Sequence, residues 1–171
     1  MNILILNGSP RANGNTAAMT RAFMEGAEAA GHEVTEIQVG RKKIAGCLGC
    51  EYCHTKGNGS CVQKDDMEEV YEALRQADML VFASPVYYFT MSGQLQNAID
   101  RTYAFDIPKN IRKAAMILSS ASDGVYEPSM LQYREILRFF EIQDMGVKTA
   151  HGEENKSEKL LGEMRAFGES M

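Results

Sequence analysis

The feature that most constrains the fold is a strict alternation of short apolar runs with longer segments of helical spacing. Five runs are predicted as strands: Asn2–Asn7, Val34–Val39, Leu80–Ser84, Ala115–Ser119 and Val147–Ala150. Five segments are predicted as helices: Thr16–Ala30, Met67–Gln76, Gly93–Tyr103, Ser129–Glu141 and Glu153–Phe167. Because strands that alternate with helices pair in parallel and their crossovers are right-handed, the pattern predicts an α/β fold with helices on both faces of one sheet.

The strand order follows from the loop after the first strand. The first, third and fourth runs are almost continuously apolar, which is typical of strands that are covered on both faces. With a glycine-rich loop directly after the first strand, we predict a doubly wound, five-stranded parallel sheet in the order 2-1-3-4-5. Ligands of such sheets bind outside the carboxyl ends of the strands. The loops after strands one, three and four are therefore expected to form one site.

The first of these loops, Asn7–Thr16, has the composition of a phosphate site. It leads from a strand to a helix N-terminus, which offers free N–H groups and a partial positive charge. Gly8 and Gly14 allow the backbone to approach a ligand closely. The side chains suited to phosphate are Ser9, Arg11, Asn15 and Thr16. The dinucleotide fingerprint and the Walker lysine are both missing, so one terminal phosphate is favoured. An ordinary turn that binds nothing is the alternative.

The loops after the third and fourth strands predict a site for a flat ring. The third strand is followed by Pro85, Val86, Tyr87, Tyr88 and Phe89. Three adjacent aromatic residues are costly to leave in water, so they indicate either a stacked ring system or an interface between subunits. The loop after the fourth strand is small and polar and could pass under the same ring; it begins with Ser119, Ser120 and Ala121.

All four cysteines of the chain fall within one short segment: Cys47, Cys50, Cys53 and Cys61. This spacing lets a loop wrap one metal centre with four thiolates. The residues leave four interpretations open, namely a [4Fe–4S] cluster, structural zinc, free thiols without a metal, and a disulfide.

Length and charge limit the remaining possibilities. The 171 residues suit one domain, residues 1–171, and the net charge of -5 argues against nucleic acid and anionic membranes as partners. No apolar run reaches the length of a membrane span and no signal peptide is visible, so a cytoplasmic location is expected. Two charged motifs stand apart: Asp65 with Glu68 suggests a capping box, and Asp100-Arg101 is expected to pair with a neighbouring segment or a partner chain.

Three stretches resemble the FMN-binding NAD(P)H-dependent reductases of the flavodoxin-like superfamily: Gly8–Arg11 with Gly14–Thr16, Ala77–Tyr87, and Leu95–Arg101. The resemblance implies a single flavodoxin-like domain with noncovalent FMN, whose phosphate lies on Ser9, Arg11, Asn15 and Thr16. It also implies that the isoalloxazine ring is framed by Pro85, Val86, Tyr87, Tyr88 and Phe89, with Ser119, Ser120 and Ala121 along its other edge.

The activity that this resemblance implies is electron transfer from NAD(P)H, through FMN, to a small acceptor such as a quinone. The flavin carries that chemistry, so no protein side chain is predicted as the sole catalyst. The family also implies a homodimer or homotetramer, with Tyr87–Phe89 and the following helix as the expected interface.

The cysteine segment and the following Asp65-Asp66-Met67 resemble the iron–sulfur flavoproteins. That resemblance implies a [4Fe–4S] cluster on Cys47, Cys50, Cys53 and Cys61, which relays electrons from ferredoxin to FMN. The chain is shorter than is typical of that family. An electron carrier or redox sensor without its own substrate is the further alternative.

Overall fold

The computed structural model describes residues 1–105 and 109–171. Its regular elements are β1 (Asn2–Asn7), α1 (Asn15–Ala29), β2 (Glu33–Ile37), α2 (Met67–Gln76), β3 (Met79–Tyr87), β4 (Thr90–Met91), α3 (Gly93–Arg101), β5 (Lys113–Ser120), α4 (Glu127–Phe140), β6 (Gln143–His151) and α5 (Glu158–Glu169). Short 3-10 turns follow β2, α3 and β6 at Val39–Arg41, Thr102–Phe105 and Gly152–Lys156. Within the described ranges, no helix has the length and apolarity needed to cross a bilayer.

The five long strands form a parallel sheet in the order β2-β1-β3-β5-β6. Counted along the long strands, this is the predicted order 2-1-3-4-5, which is confirmed. The difference is β4, which was not predicted and pairs antiparallel with the end of β3. Because of this pairing, Pro85–Tyr87 continue β3, whereas the sequence placed them in a loop.

Two larger boundary differences lie near the C-terminus, whereas the other elements, apart from the end of β3, differ from their predicted bounds by at most two residues at an end. The strand β6 begins at Gln143 rather than Val147. The sequence pattern missed its first residues because Gly146, with a φ of +113°, lies at a register shift that interrupts the regular alternation of the strand. The helix α5 begins at Glu158 rather than Glu153, since the intervening residues form a 3-10 turn. The start of α5 is fixed by Ser157, whose side chain accepts a hydrogen bond from the Leu160 amide.

Two apolar cores lie on opposite faces of the sheet. Alternate side chains of β1 belong to different cores, as the period of a strand requires: Leu4 and Leu6 pack with α2, α3 and α4, whereas Ile3 and Ile5 pack with α1 and α5. All four side chains are at most 1% exposed. Burial on both faces explains why the strand reads as a continuous apolar run.

The helices α1 and α5 approach each other closely enough for their backbones to touch. A Cβ atom built on Gly168 would lie 2.1 Å from the Phe23 carbonyl oxygen, and one on Gly26 would lie 2.0 Å from the Arg165 carbonyl oxygen. These distances are far below van der Waals contact, so both positions require glycine. The contact is extended by the rings of Phe23 and Phe167, whose centroids are 5.6 Å apart.

We expect the Gly168→Ala substitution to destabilise the protein by about 1–3 kcal/mol, because the added methyl group overpacks a contact between two backbones. The matched control is Gly162→Ala in the same helix, where a Cβ atom would meet nothing within 4 Å and alanine is the better helix former. Urea denaturation followed by circular dichroism measures both variants. Equal effects at the two positions would contradict the close approach of α1 and α5.

Candidate functional site

The loop between β1 and α1 is a tight turn built around its own side chains. The Asn7 side-chain oxygen accepts a hydrogen bond from the Ser9 amide at 2.9 Å, and Ser9 Oγ accepts one from the Arg11 amide at 3.2 Å. The residue at the N-cap of α1 is Gly14, which has no side chain to cap the helix, and the first turn contains no acidic residue. The amides at the start of α1 are therefore available to an anion.

The carboxyl ends of β1, β3 and β5 lie side by side and enclose a cavity of about 420 Å³. Thr16 on α1 and Ser119 at the end of β5 meet directly, with 2.7 Å between their hydroxyl oxygens, and both side chains are buried. Ten of the twelve predicted ligand residues line this cavity: Ser9, Arg11, Asn15, Thr16, Pro85, Val86, Tyr87, Ser119, Ser120 and Ala121. Gly152, after β6, completes the wall and was not predicted.

Tyr88 and Phe89 do not line this cavity, although the sequence grouped them with the others. They form the two-residue turn between β3 and β4, where Tyr87 pairs with Thr90. Their φ values are +47° and +69°, in the left-handed region that hairpin turns usually fill with Asn or Gly. Each such residue stores about 1–3 kcal/mol of strain. Tyr88 is 97% exposed, so the hairpin presents these aromatic rings to solvent beside the cavity.

The loop between β1 and α1, which we call the phosphate loop after its predicted role, is supported from the β2 side by residues that the sequence analysis missed. Glu36 Oε1 accepts hydrogen bonds from the Asn7 side-chain amide at 2.9 Å and from the Thr20 hydroxyl at 2.8 Å. A Cβ atom on Gly40 would lie 2.4 Å from the carbonyl carbon and oxygen of Ser9. These contacts join residues from separate elements, so no local sequence motif reveals them.

The opposite wall is held by a second set of residues that was also missed. Ser120 Oγ lies 2.7 Å from the Tyr126 hydroxyl. The buried Asn155 donates hydrogen bonds to the carbonyl oxygens of Ser120 at 2.9 Å and Gly152 at 2.8 Å. Burial raises the pKa of Tyr126, so its hydroxyl stays neutral near physiological pH. The sequence gives only a weak signal for these contacts, because isolated polar residues after a strand are common.

The four cysteines lie in an irregular segment, residues 46–62, that we call the cysteine loop. Cys47 and Cys50 are exposed, whereas Cys53 and Cys61 are half-buried against the core that also contains α2 and α3; all four are free thiols. Burial raises the pKa of the Cys53 thiol, and the neighbouring Cys61 adds to this shift. Four thiolates are a suitable donor set for a thiophilic metal centre, but among the described residues no three metal-ligating side chains are gathered at one point.

An ion pair with Asp65 fixes the end of this segment and corrects one prediction. Asp65 and Glu68 do not form a capping box, since the N-cap of α2 is Asp66 and the Glu68 side chain pairs with Lys64. The Asp65 carboxylate accepts a hydrogen bond from the Met67 amide at 3.2 Å. It also accepts hydrogen bonds from both ends of the Arg101 guanidinium, at 2.8 and 3.1 Å. The expected pairing of Arg101 is therefore made with a neighbouring segment of the same chain.

Both partners of this ion pair are shifted in pKa toward their charged forms. Burial alone would lower the pKa of the Arg101 guanidinium, but its hydrogen bonds with Asp65 raise the pKa above the usual value. Burial likewise opposes ionisation of Asp65, yet hydrogen bonds from Arg101 and from the amides of Ala45 and Met67 leave its pKa below the ordinary 3.8. The pair therefore remains ionised throughout the neutral pH range.

The lowered pKa of Asp65 predicts a dependence of stability on pH. The stabilisation is complete above about pH 4, the ordinary pKa of the carboxyl group, and is lost as the pH falls through the lower pKa of the folded state. We expect the melting temperature of Asp65→Asn to lie well below that of the wild type near neutral pH and the difference to shrink toward about pH 2. Thermal unfolding followed by circular dichroism measures this difference.

The control for that series is Asp100→Asn, an exposed carboxylate next to Arg101 in the chain. Its melting temperature should follow that of the wild type across the same pH range. A constant difference between Asp65→Asn and the wild type at all pH values would contradict the assignment.

The order of the sheet and the cavity at its carboxyl edge define a flavodoxin-like α/β protein. A family model described as NADPH-dependent FMN reductase matches residues 1–154. The chain belongs to the NADPH-dependent FMN reductase family.

Two related proteins differ in their sequence identity to this chain and in the share of it that they match. An iron–sulfur flavoprotein from Methanocaldococcus jannaschii is 39% identical over 150 residues, which are 85% of this chain and 73% of that protein. One from Archaeoglobus fulgidus is 42% identical over 94 residues, or 55% of this chain and 42% of that protein. The chain thus matches less than half the length of the latter. Among solved structures, the NAD(P)H:quinone oxidoreductase from Methanothermobacter marburgensis has a TM-score of 0.78 at 20% identity, covering 99% of this chain and 95% of that one, and supports the fold alone.

Proposed function

We propose that this protein is an FMN-dependent oxidoreductase that transfers electrons from NAD(P)H to a small acceptor such as a quinone. The observation that carries this proposal is the cavity of about 420 Å³ where the ends of β1, β3 and β5 meet beside the uncapped start of α1. Membership of the FMN reductase family supports the choice of FMN among phosphate-bearing ligands. The chemistry that bound FMN would supply is hydride acceptance from a nicotinamide and electron transfer to the acceptor.

The phosphate end of the ligand would lie at the N-terminus of α1. There the free amides and the helix dipole favour an anion, and the Arg11 guanidinium adds a full charge. Ser9 and Thr16 are both buried and supply hydroxyl groups. Asn15 is the first residue of α1, so its amide belongs to the uncapped turn.

The ring end would lie between the ends of β3 and β5. The Pro85–Tyr87 segment is held as strand because Pro85 pairs with Ser119 of β5, and Val86 and Tyr87 pair with β4. Ser119, Ser120 and Ala121 form the facing wall, which Tyr126 and Asn155 brace through Ser120. Rigid walls of this kind orient a flat ring and exclude water from the face that they cover.

We expect Arg11→Gln to raise the FMN concentration that gives half-maximal quinone reduction by about tenfold or more, because a charge-assisted contact to phosphate is lost. The riboflavin concentration that gives half-maximal rate should change little, since riboflavin lacks the phosphate. Arg11 is exposed, so the substitution should not impair folding. The measurement is steady-state oxidation of NADH or NADPH at increasing flavin concentration.

The matched control is Arg134→Gln on the surface of α4, where the side chain pairs only with Glu127 among the described residues. It should behave as the wild type with both flavins. Failure of the wild type to accelerate quinone reduction above the rate with free FMN would contradict the proposed activity. Tight FMN binding without turnover would instead support an electron carrier.

The cysteine loop favours a second candidate function, that of an iron–sulfur flavoprotein. The donor set of Cys47, Cys50, Cys53 and Cys61 suits a [4Fe–4S] cluster, and relatives named iron–sulfur flavoproteins support this choice. The loop would have to draw the exposed Cys47 and Cys50 toward the half-buried Cys53 and Cys61. A protein of this kind would receive single electrons from a ferredoxin.

This second candidate predicts about four irons and four sulfides per chain in protein purified without oxygen. Colorimetric iron and sulfide assays on the same sample as the visible spectrum measure this. Cys53→Ser should abolish the iron without removing the flavin, because the two sites use different residues. Zinc in place of iron, or no metal at all, would reject the cluster.

A further inference from the structure

The two ends of the cysteine loop lie next to each other in the structure. The Gln63 side-chain amide donates a hydrogen bond to the Gly46 carbonyl at 3.0 Å. The Ala45 amide donates to the Asp65 carboxylate at 3.0 Å. The segment that carries the four cysteines is therefore a closed loop, because the residues at and just beyond its two ends are joined by hydrogen bonds between side chains and backbone.

Arg101, the last residue of α3, links the two ends a second time. Its Nη1 donates to the Ala45 carbonyl at 3.0 Å, and its Nη2 contacts the Gln63 carbonyl at the longer distance of 3.5 Å. The same two nitrogens hold the Asp65 carboxylate. Ala45 lies two residues before the first cysteine and Gln63 two residues after the last. The Arg101 side chain is 1% exposed, so water does not compete for these contacts.

The outer part of the cysteine loop rests on the turn that follows α3. His54 Nε2 lies 2.9 Å from the Tyr103 carbonyl oxygen, and the Tyr103 hydroxyl donates to the Glu51 carboxylate at 3.1 Å. The other end of α3 contacts the phosphate loop, because Ser92 Oγ donates to the Gly8 carbonyl at 2.8 Å. One helix of nine residues thus supports the candidate cofactor loop at its start and the cysteine loop at its end.

We propose that Arg101 is a positioning residue: by joining the two ends of the cysteine loop, it restricts the four thiols to one closed segment that can gather around a thiophilic metal centre. The proposal rests on the second candidate function. Fixing the ends of a loop reduces the conformational entropy that metal binding must remove. The planar, forked guanidinium can bond several acceptors at once, which the single ammonium group of lysine does not reproduce.

The test compares Arg101→Lys with the wild type as Cd²⁺ is titrated into reduced, metal-free protein that contains FMN. Ultraviolet absorption of thiolate bound to cadmium reports the binding. We expect Arg101→Lys to bind Cd²⁺ about 10–100-fold more weakly, the usual cost of removing a group that orients metal ligands. FMN affinity should change less than about twofold, because the retained charge opposite Asp65 preserves the fold. Arg134→Lys on α4 is the matched control and should bind as the wild type.

The outcomes separate positioning from simple stabilisation. Cadmium affinity equal to that of the wild type in Arg101→Lys would overturn the proposal. A loss of cadmium affinity matched by an equal loss of FMN affinity would also overturn it, since that result indicates general unfolding.

A wild type that binds no Cd²⁺ through its thiols would reject the second candidate function, and the link between the loop ends is then tested by hydrogen exchange. In that case we expect the Ala45 amide to exchange about tenfold faster in Arg101→Lys than in the wild type. Unchanged exchange would overturn the role of Arg101 as well. Hydrogen exchange of the Ala45 amide is also measured in Arg101→Gln, because glutamine cannot replace the ion pair with Asp65 as lysine can.

Discussion

The parallel pairing of β1 with β3 and of β3 with β5 is the constraint on which the rest of the structure depends. It brings the carboxyl ends of three strands to one edge of the sheet, so the loops that follow these strands lie next to each other at that edge. The hydrogen bond between Thr16 and Ser119 then joins the start of α1, which follows the first loop, to the end of β5. The position of the cavity follows from the strand order, and the groups that it offers to a ligand follow from the residues of the three loops.

The second organising element is α3, which is short but contacts two separate parts of the chain. Its N-cap, Ser92, is bonded to the phosphate loop, and its last residue, Arg101, is bonded to the segments that flank the cysteines. Neither contact can be exchanged for solvent, because both side chains are buried. The position of the cysteine loop relative to the candidate flavin site is therefore set by one rigid helix.

The sequence predicted the parts of the structure that are encoded locally or by period. The alternation of apolar runs with helical segments, together with the glycine-rich turn after β1, was sufficient for the strand order. The role of that turn as a phosphate loop stays a prediction. The β3–β4 hairpin was not predicted, because its turn contains Tyr88 and Phe89 where such turns usually carry Asn or Gly. The exposed pair stays a predicted contact with a second copy of the chain.

Several of the contacts that were missed join residues distant in sequence. Glu36 reaches Asn7, and Arg101 reaches Asp65 across 36 positions. The motif of Asp65 with Glu68 also suggested a capping box, but the Asp65 carboxylate bonds both the Met67 amide and the Arg101 guanidinium, and Glu68 pairs with Lys64. Such pairings depend on how helices pack, so a single sequence contains no periodic signal for them.

A crystal structure of the protein with FMN tests the central claim most directly. We predict the phosphate within hydrogen-bond distance of the amides at the start of α1 and of Arg11. We predict the ring between Pro85–Tyr87 and Ser119–Ala121. A flavin bound elsewhere, or a phosphate that does not contact the N-terminus of α1, would contradict the account.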